Sequence, residues 1–140
     1  MENVRSYRTS FLKIGVAFSI LPVGLSLYAI LVYNSPPPPW ITMGFGGFLA
    51  VIGIACLVFP VRVSDTGIHS YDSFGRYQRV RYTDIQSVGY VLGYIVVRHG
   101  KPGSELTIPR FLSNFEGFKY DVIAHAPADN PLRSFLEQRF

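Results

Sequence analysis

Two patterns of apolar positions divide this chain. From Ile14 to Tyr33, and again from Trp40 to Phe59, apolar residues run on without a polar period. No Asp, Glu, Lys, Arg or His occurs from Ile14 to Val61. A helix needs about 20 such residues to cross a hydrocarbon layer of about 30 Å. Lipid cannot satisfy an unpaired backbone group, so both segments are expected to be helices. Asn34, Ser35 and the four prolines Pro36 to Pro39 separate them. Four prolines do not continue a helix, and so short a link holds no domain, so the two helices should form a hairpin. Residues 1–60 are thus expected to be an N-terminal tail plus a transmembrane hairpin, with spans at about 14–33 and 40–59.

After Pro60 the period changes to two. Val61-Arg62-Val63 alternates as a strand does, and Asp65-Thr66-Gly67 has turn chemistry. Ile68 to Tyr71 is the next expected strand and Asp72-Ser73-Phe74-Gly75 the next turn. Arg76 to Tyr82 alternates again, placing Val80 and Tyr82 on one face and Arg79 and Arg81 on the other. Thr83 to Val88 reads as a link that buries Ile85 and Val88. Tyr90 to Arg98 reads as the longest strand, rich in Val, Ile and Tyr. His99 to Gly103 turns the chain into a last strand, Glu105 to Ile108, stopped by Pro109. The tail changes period once more. Phe111, Phe115, Phe118, Val122 and Ala126 share a helix face, and Asp129-Asn130-Pro131 starts a second helix bearing Leu132, Phe135 and Leu136. The expected fold is a membrane helical hairpin followed, over residues 61–140, by a mainly-β (α+β) domain. Its antiparallel strands curl into a barrel or sandwich closed by C-terminal helical segments.

Charge then orients the hairpin. Only 16% of residues are charged, against about 25% in a typical soluble domain. Arg5, Arg8 and Lys13 precede the first apolar run; Arg62, Arg76, Arg79 and Arg81 follow the second; the proline linker has no charge. The positive-inside rule puts both chain ends in the cytoplasm, in a multi-pass protein of the plasma (cell inner) membrane. Tyr28, Tyr33 and Trp40 suit the far interface. The first run exceeds the roughly 7–15 residue core of a signal peptide and is expected to remain as an uncleaved anchor. The net charge of +4 comes without a basic run or a nucleic-acid motif, so no nucleic-acid partner is expected. Cys56 is the sole cysteine. It makes neither an internal disulfide nor a zinc set, and is expected to act as a small buried hydrophobe.

Little in the chain resembles a reactive site. His69, His99 and His125 lack metal-ligand spacing, and no nucleophile or phosphate-loop motif occurs. No catalytic residue, metal, cofactor or small-molecule substrate is expected. Two kinds of candidate remain. Small residues recur at helical spacing: Gly15, Ser19, Pro22, Ser26 and Ala29 in the first helix, Gly46, Ala50 and Gly53 in the second. Such stripes let helix backbones approach, within one hairpin or between copies. Arg62, Arg76, Arg79 and Arg81 form a basic set close to the membrane exit, suited to solvating a strand or meeting anionic lipid or a partner.

Two stretches carry a family resemblance. Val63-Ser64-Asp65-Thr66-Gly67-Ile68 and Arg79-Val80-Arg81-Tyr82-Thr83-Asp84-Ile85-Gln86-Ser87-Val88, with Leu106 to Pro109 behind them, resemble the bacterial pleckstrin-homology (PH) domain membrane proteins. These have a transmembrane helix pair followed by a PH-like barrel. The resemblance covers about residues 61–109. It departs at the tail, where Pro127 and Pro131 split what is normally one closing helix. It implies a PH-like barrel and no defined enzyme activity. The acidic turn Asp65-Thr66-Gly67 stands where eukaryotic PH domains place phosphoinositide-binding basic residues. The functional expectation is a non-enzymatic membrane protein whose domain serves as an interaction or self-assembly scaffold, with the bilayer and a second copy or another membrane protein as partners. The alternative is an anionic-lipid-responsive module using the arginines.

Overall fold

The structure, a computed structural model, describes residues 3–72 and 74–140. The Cys56 side chain, expected to be buried, and Ser73 of the expected 72–75 turn lie outside the described residues. The chain forms two units, one of Ser10–Val58 and one that joins the segment up to Thr9 with Phe59–Phe140.

The first unit holds α1 (Phe11–Tyr33) and α2 (Pro39–Val58). The Ser10 hydroxyl caps α1 by accepting from the Lys13 N–H, and Asn34 ends it in the left-handed region at φ 50°, a conformation Asn tolerates. α1 is long and apolar enough to cross a membrane, whereas the described apolar stretch of α2, Pro39–Ala55, is shorter. Phe11 lies against Gly53 and Phe18 against Phe48, so the helices run in opposite directions.

The second unit is an α+β domain with seven strands: β1 (Arg5–Tyr7), β2 (Val61–Val63), β3 (Gly67–Tyr71), β4 (Tyr77–Arg81), β5 (Ile85–Val91), β6 (Tyr94–His99) and β7 (Glu105–Pro109). Every ladder is antiparallel. The order is β1-β2-β3-β7-β6-β5, with β4 on the other edge of β3. The sheet is open: among the described residues no ladder joins β4 to β5, and the expected barrel closure is not made. α3 (Phe115–His125) and α4 (Pro131–Arg139) complete the domain. Phe118 and Val122 of α3 and Leu132 and Leu136 of α4, all at 0% exposure, form one core with Ile68, Val80, Ile95, Val97, Leu106 and Ile108. Both helices therefore lie on one face of the sheet, the face that strand alternation makes apolar. The expected helix start at Asp129-Asn130-Pro131 is present. Asn130, 4% exposed, accepts from the Leu132 N–H at 2.9 Å and donates to the Tyr82 carbonyl at 2.7 Å. One amide thus caps α4 and fastens it to the sheet.

Four local expectations change. The Thr83–Val88 link is a short 3-10 turn, Tyr82–Asp84, running straight into β5. The single strand expected over Tyr90–Arg98 is broken into β5 and β6 by a two-residue turn, Leu92-Gly93, with φ of 48° and 86°. Both angles positive is the primed hairpin geometry, matched to strand twist. A Cβ at position 93 would sit 2.8 Å from the Phe111 ring, so glycine is required there. The helix expected from Phe111 starts at Phe115 instead, because the Asn114 side chain accepts from the Gly117 N–H at 2.9 Å and sets the first turn. Finally, the N-terminal segment expected as a tail supplies β1, paired Arg5 to Val63 and Tyr7 to Val61. Three residues gave too short a pattern to read.

Candidate functional site

The face of the sheet away from α3 and α4 collects most of the basic candidates. In β2, Arg62 is exposed between buried Val61 and Val63. The register sets Arg62 opposite His69 and His69 opposite Arg79, making a row across three strands. Arg81, two positions on from Arg79, shares that face. The Arg79 guanidinium donates to the Thr66 hydroxyl at 2.7 Å. The next row is aromatic: Tyr71 pairs with Tyr77 on one side and Thr107 on the other. The rings of Tyr71 and Tyr77 lie 5.1 Å apart, those of Phe59 and Tyr71 4.5 Å, and those of His69 and Tyr77 5.9 Å. Arg76 stands apart in the β3–β4 turn, where its N–H donates to the Asp72 carboxylate and its guanidinium lies 5.8 Å from the Phe74 ring.

The site is therefore mixed, cationic and aromatic. Phe59, His69, Tyr71 and Tyr77 complete it, and the arginines alone did not disclose them. The signal available was the alternation of His69 and Tyr71 with Ile68 and Ser70, which marks one face but not which strands lie beside it.

A second cluster is buried. Asp121 of α3, 2% exposed, accepts from the Tyr7 hydroxyl and from the Arg5 guanidinium, the latter at 2.8 Å. Its backbone carbonyl lies 2.7 Å from His125 Nδ1, and His125 Nε2 lies 3.2 Å from Asp65. Burial, reinforced by the hydrogen bond and charge of Asp121, pushes the Tyr7 hydroxyl up to about 12. Burial again leads in raising the Tyr82 hydroxyl, with Asp121 and Asp65 adding to it. This cluster fastens β1 to α3 and the β2–β3 turn, and neither of its tyrosines is poised to give up a proton near neutral pH. Among the described residues no group of three or more His, Cys, Asp or Glu is arranged to hold a metal ion. An open groove of about 430 Å³ lies between Asp72, Phe74, Arg76, Gln78, Ser104 and Glu105. Asp72 is committed to the turn, accepting from the N–H groups of Phe74 and Arg76 and from the Gln78 amide at 2.8–3.0 Å.

The small-residue stripes fare differently on the two helices. Gly15, Ser19 and Ser26 of α1 are half-buried, as are Pro22 and Ala29. In α2, Gly53 is half-buried against Phe11, whereas Gly46 and Ala50 are exposed. The half-buried residues of α2 include Ile41, Phe45, Leu49 and Ile52. Comparison with protein-family models, with curated proteins and with solved structures finds no match to this chain.

Proposed function

We propose that this chain is a non-enzymatic membrane-anchored scaffold. α1 and α2 cross the bilayer as a hairpin, and the sheet domain stands at the cytoplasmic face, where its uncovered sheet face binds a membrane partner or a second copy. The observation that carries this reading is that face itself: Arg62, Arg79 and Arg81 beside Phe59, Tyr71 and Tyr77, a composition enriched at the centres of protein interfaces. Tyr77 is 44% and Phe59 41% exposed. The pairing of β1 with β2 supports the hairpin. It brings the chain just before α1 beside the chain just after α2, as a hairpin requires. At about 1.5 Å per residue, the 20 residues of α2 reach about 30 Å, one hydrocarbon thickness. Under this reading the domain is PH-like in its order of strands and closing helices, with its sheet left open, in line with the resemblance carried by residues 61–109. Photo-crosslinking from position 77 in native membranes is expected to trap one discrete complex or oligomer. A lone monomer at native expression overturns the scaffold.

A second reading is favoured by the charge of the same face. Its basic row carries no carboxylate, and β2 begins three residues after α2 ends, so the row lies within reach of headgroups. Anionic lipid attracts each such arginine by about 1 kcal/mol. Arg62, Arg79 and Arg81 changed together to Gln should then weaken the protein's preference for anionic over neutral bilayers. An unchanged preference leaves the scaffold alone.

A further inference from the structure

Leu92 is the most exposed large hydrophobic side chain among the described residues, at 91%, and its backbone holds φ 48°. That is an unusual pairing. A left-handed conformation penalises any residue with a Cβ, and the first position of this turn type strongly prefers Asn, Asp or Gly. Leucine there adds nothing to the core, so folding does not account for it. Strain kept at an exposed position points to use at the surface. Its neighbours extend the apolar tip: Val91 is 57% exposed and Tyr94 38%.

The tip is rigidly backed. Gly93 rests on the Phe111 ring, and the Gly93 carbonyl accepts from the Arg110 N–H at 2.9 Å. The same backing segment is bonded to the chain that enters α1. Leu112 pairs with Thr9, and both the N–H and the hydroxyl of Ser113 donate to the Arg8 carbonyl, at 2.9 and 3.1 Å. Thr9 is two residues ahead of Phe11, where α1 starts. Two cross-chain pairings of about 5 Å and two residues of chain keep the tip within roughly 20 Å of the residue leading into α1.

We infer that Val91-Leu92-Gly93-Tyr94 is a membrane-contacting wedge that dips into the interfacial layer of the bilayer beside the point where the chain enters α1. This rests on the anchored reading above. The bilayer is favoured over a protein partner by area: a stable interface needs about 800 Å² from each side, and one Leu with a flanking Val and Tyr cannot supply it. A tethered domain needs no such area, since the anchor already holds the tip near its target. Aliphatic residues with a tyrosine at their edge also suit the boundary between acyl chains and headgroups, and exposed Arg8 on the same edge suits its phosphates.

Brominated-lipid quenching of tryptophan fluorescence tests the wedge in the full chain, reconstituted into phosphatidylcholine–phosphatidylglycerol vesicles. Trp40 is the only tryptophan, so the native protein reports the anchor. Leu92→Trp in a Trp40→Phe background reports the tip. Tyr120→Trp in the same background is the control, because Tyr120, 72% exposed, adjoins Asp121, whose partner Arg5 is six residues ahead of α1. The expected result is quenching of native Trp40, quenching with a blue-shifted emission for Leu92→Trp, and water-like, unquenched emission for Tyr120→Trp. Quenching of Trp40 with water-like emission from Leu92→Trp overturns the wedge and leaves the anchor standing. Equal quenching of both substituted positions also overturns the wedge. An unquenched Trp40 overturns the anchored reading, and the wedge with it.

Discussion

The same residue types lie on opposite sides of the surface in the two units. In the sheet domain Ile68, Ile95, Leu106, Leu132 and Leu136 are at 0% exposure; in the helix unit Leu31 is 81%, Met43 78%, Leu12 75% and Leu21 72% exposed. The domain is organised by removing apolar area from water, and its strands and helices each have one apolar face to hide. α1 has no such face. Beyond Ile14 at its start, 6% exposed, its shielded positions are Gly15, Ser19, Pro22, Ser26 and Ala29, while most of its large side chains point outward. That arrangement suits helices packed in hydrocarbon, where close approach of small residues drives association and lipid is as good a neighbour for leucine as protein is. Under the anchored reading, the contrast teaches that burial has opposite meanings in the two halves of the chain.

The contrast can be broken most sharply from the inside of the domain. Phe118→Ala removes a fully buried ring and is expected to cost about 3–5 kcal/mol, read as a large fall in the denaturant midpoint of the domain. A cost under about 1 kcal/mol would mean that α3 is not part of the core. The matching break in the helix unit is Leu21→Arg, close to the middle of α1. At an outward position this is expected to cost about 3 kcal/mol of membrane insertion, seen as protein released by alkaline extraction. If extraction is unchanged, α1 does not span.

Smaller effects sharpen the comparison. Tyr7→Phe removes a donor from buried Asp121 and is expected to cost about 1 kcal/mol at neutral pH. It also alters the alkaline limb. Tyr7 titrates near its ordinary 10 when unfolded and at about 12 when folded, so the unfolded chain loses its proton first. Stability is therefore full below pH 10 and declines as pH rises from 10 towards 12. Denaturant midpoints across that range should fall less steeply in Tyr7→Phe, with a remainder from Tyr82; an identical slope would show that folding does not raise the Tyr7 hydroxyl. Leu92→Asn creates the Asn-Gly pair that this turn type prefers, and a gain of up to about 1 kcal/mol in thermal stability is expected. A loss would show that Leu92 does serve the fold. Least of all, Ala50→Leu on the exposed side of α2 should leave hairpin formation unchanged, whereas Ser19→Leu on the half-buried side of α1 should disturb it; a loss of oligomer from Ala50→Leu alone would instead assign that stripe to a second copy.

The apolar run of α1 and most of the strands could be read along the chain because their causes are local. Charge-free stretches, period-two alternation and turn residues such as Asp65-Thr66-Gly67 and Asn130-Pro131 each declare themselves within a few positions. The candidate face was legible only in part: Arg62, Arg79 and Arg81 fall on the outward positions of strands that tight turns join into antiparallel hairpins, but nothing local sets their register or brings β7 against β3. Strand order is decided by which apolar faces can share one core, and that choice brought Phe59, His69, Tyr71 and Tyr77 to the arginines while leaving Arg76 in its turn. The Leu92-Gly93 turn was hidden for a related reason. Leucine carries no turn signal, and the break depends on Phe111 beneath Gly93 and on the Arg110 bond to its carbonyl, both about twenty residues away in sequence. Residues 5–7 became a strand only because Val61–Val63 offered an open edge and Asp121 a buried acceptor for Tyr7. Elements follow from patterns a few residues long; neighbours between elements follow from packing and hydrogen bonding at long range, which exist only once the domain has closed on its core.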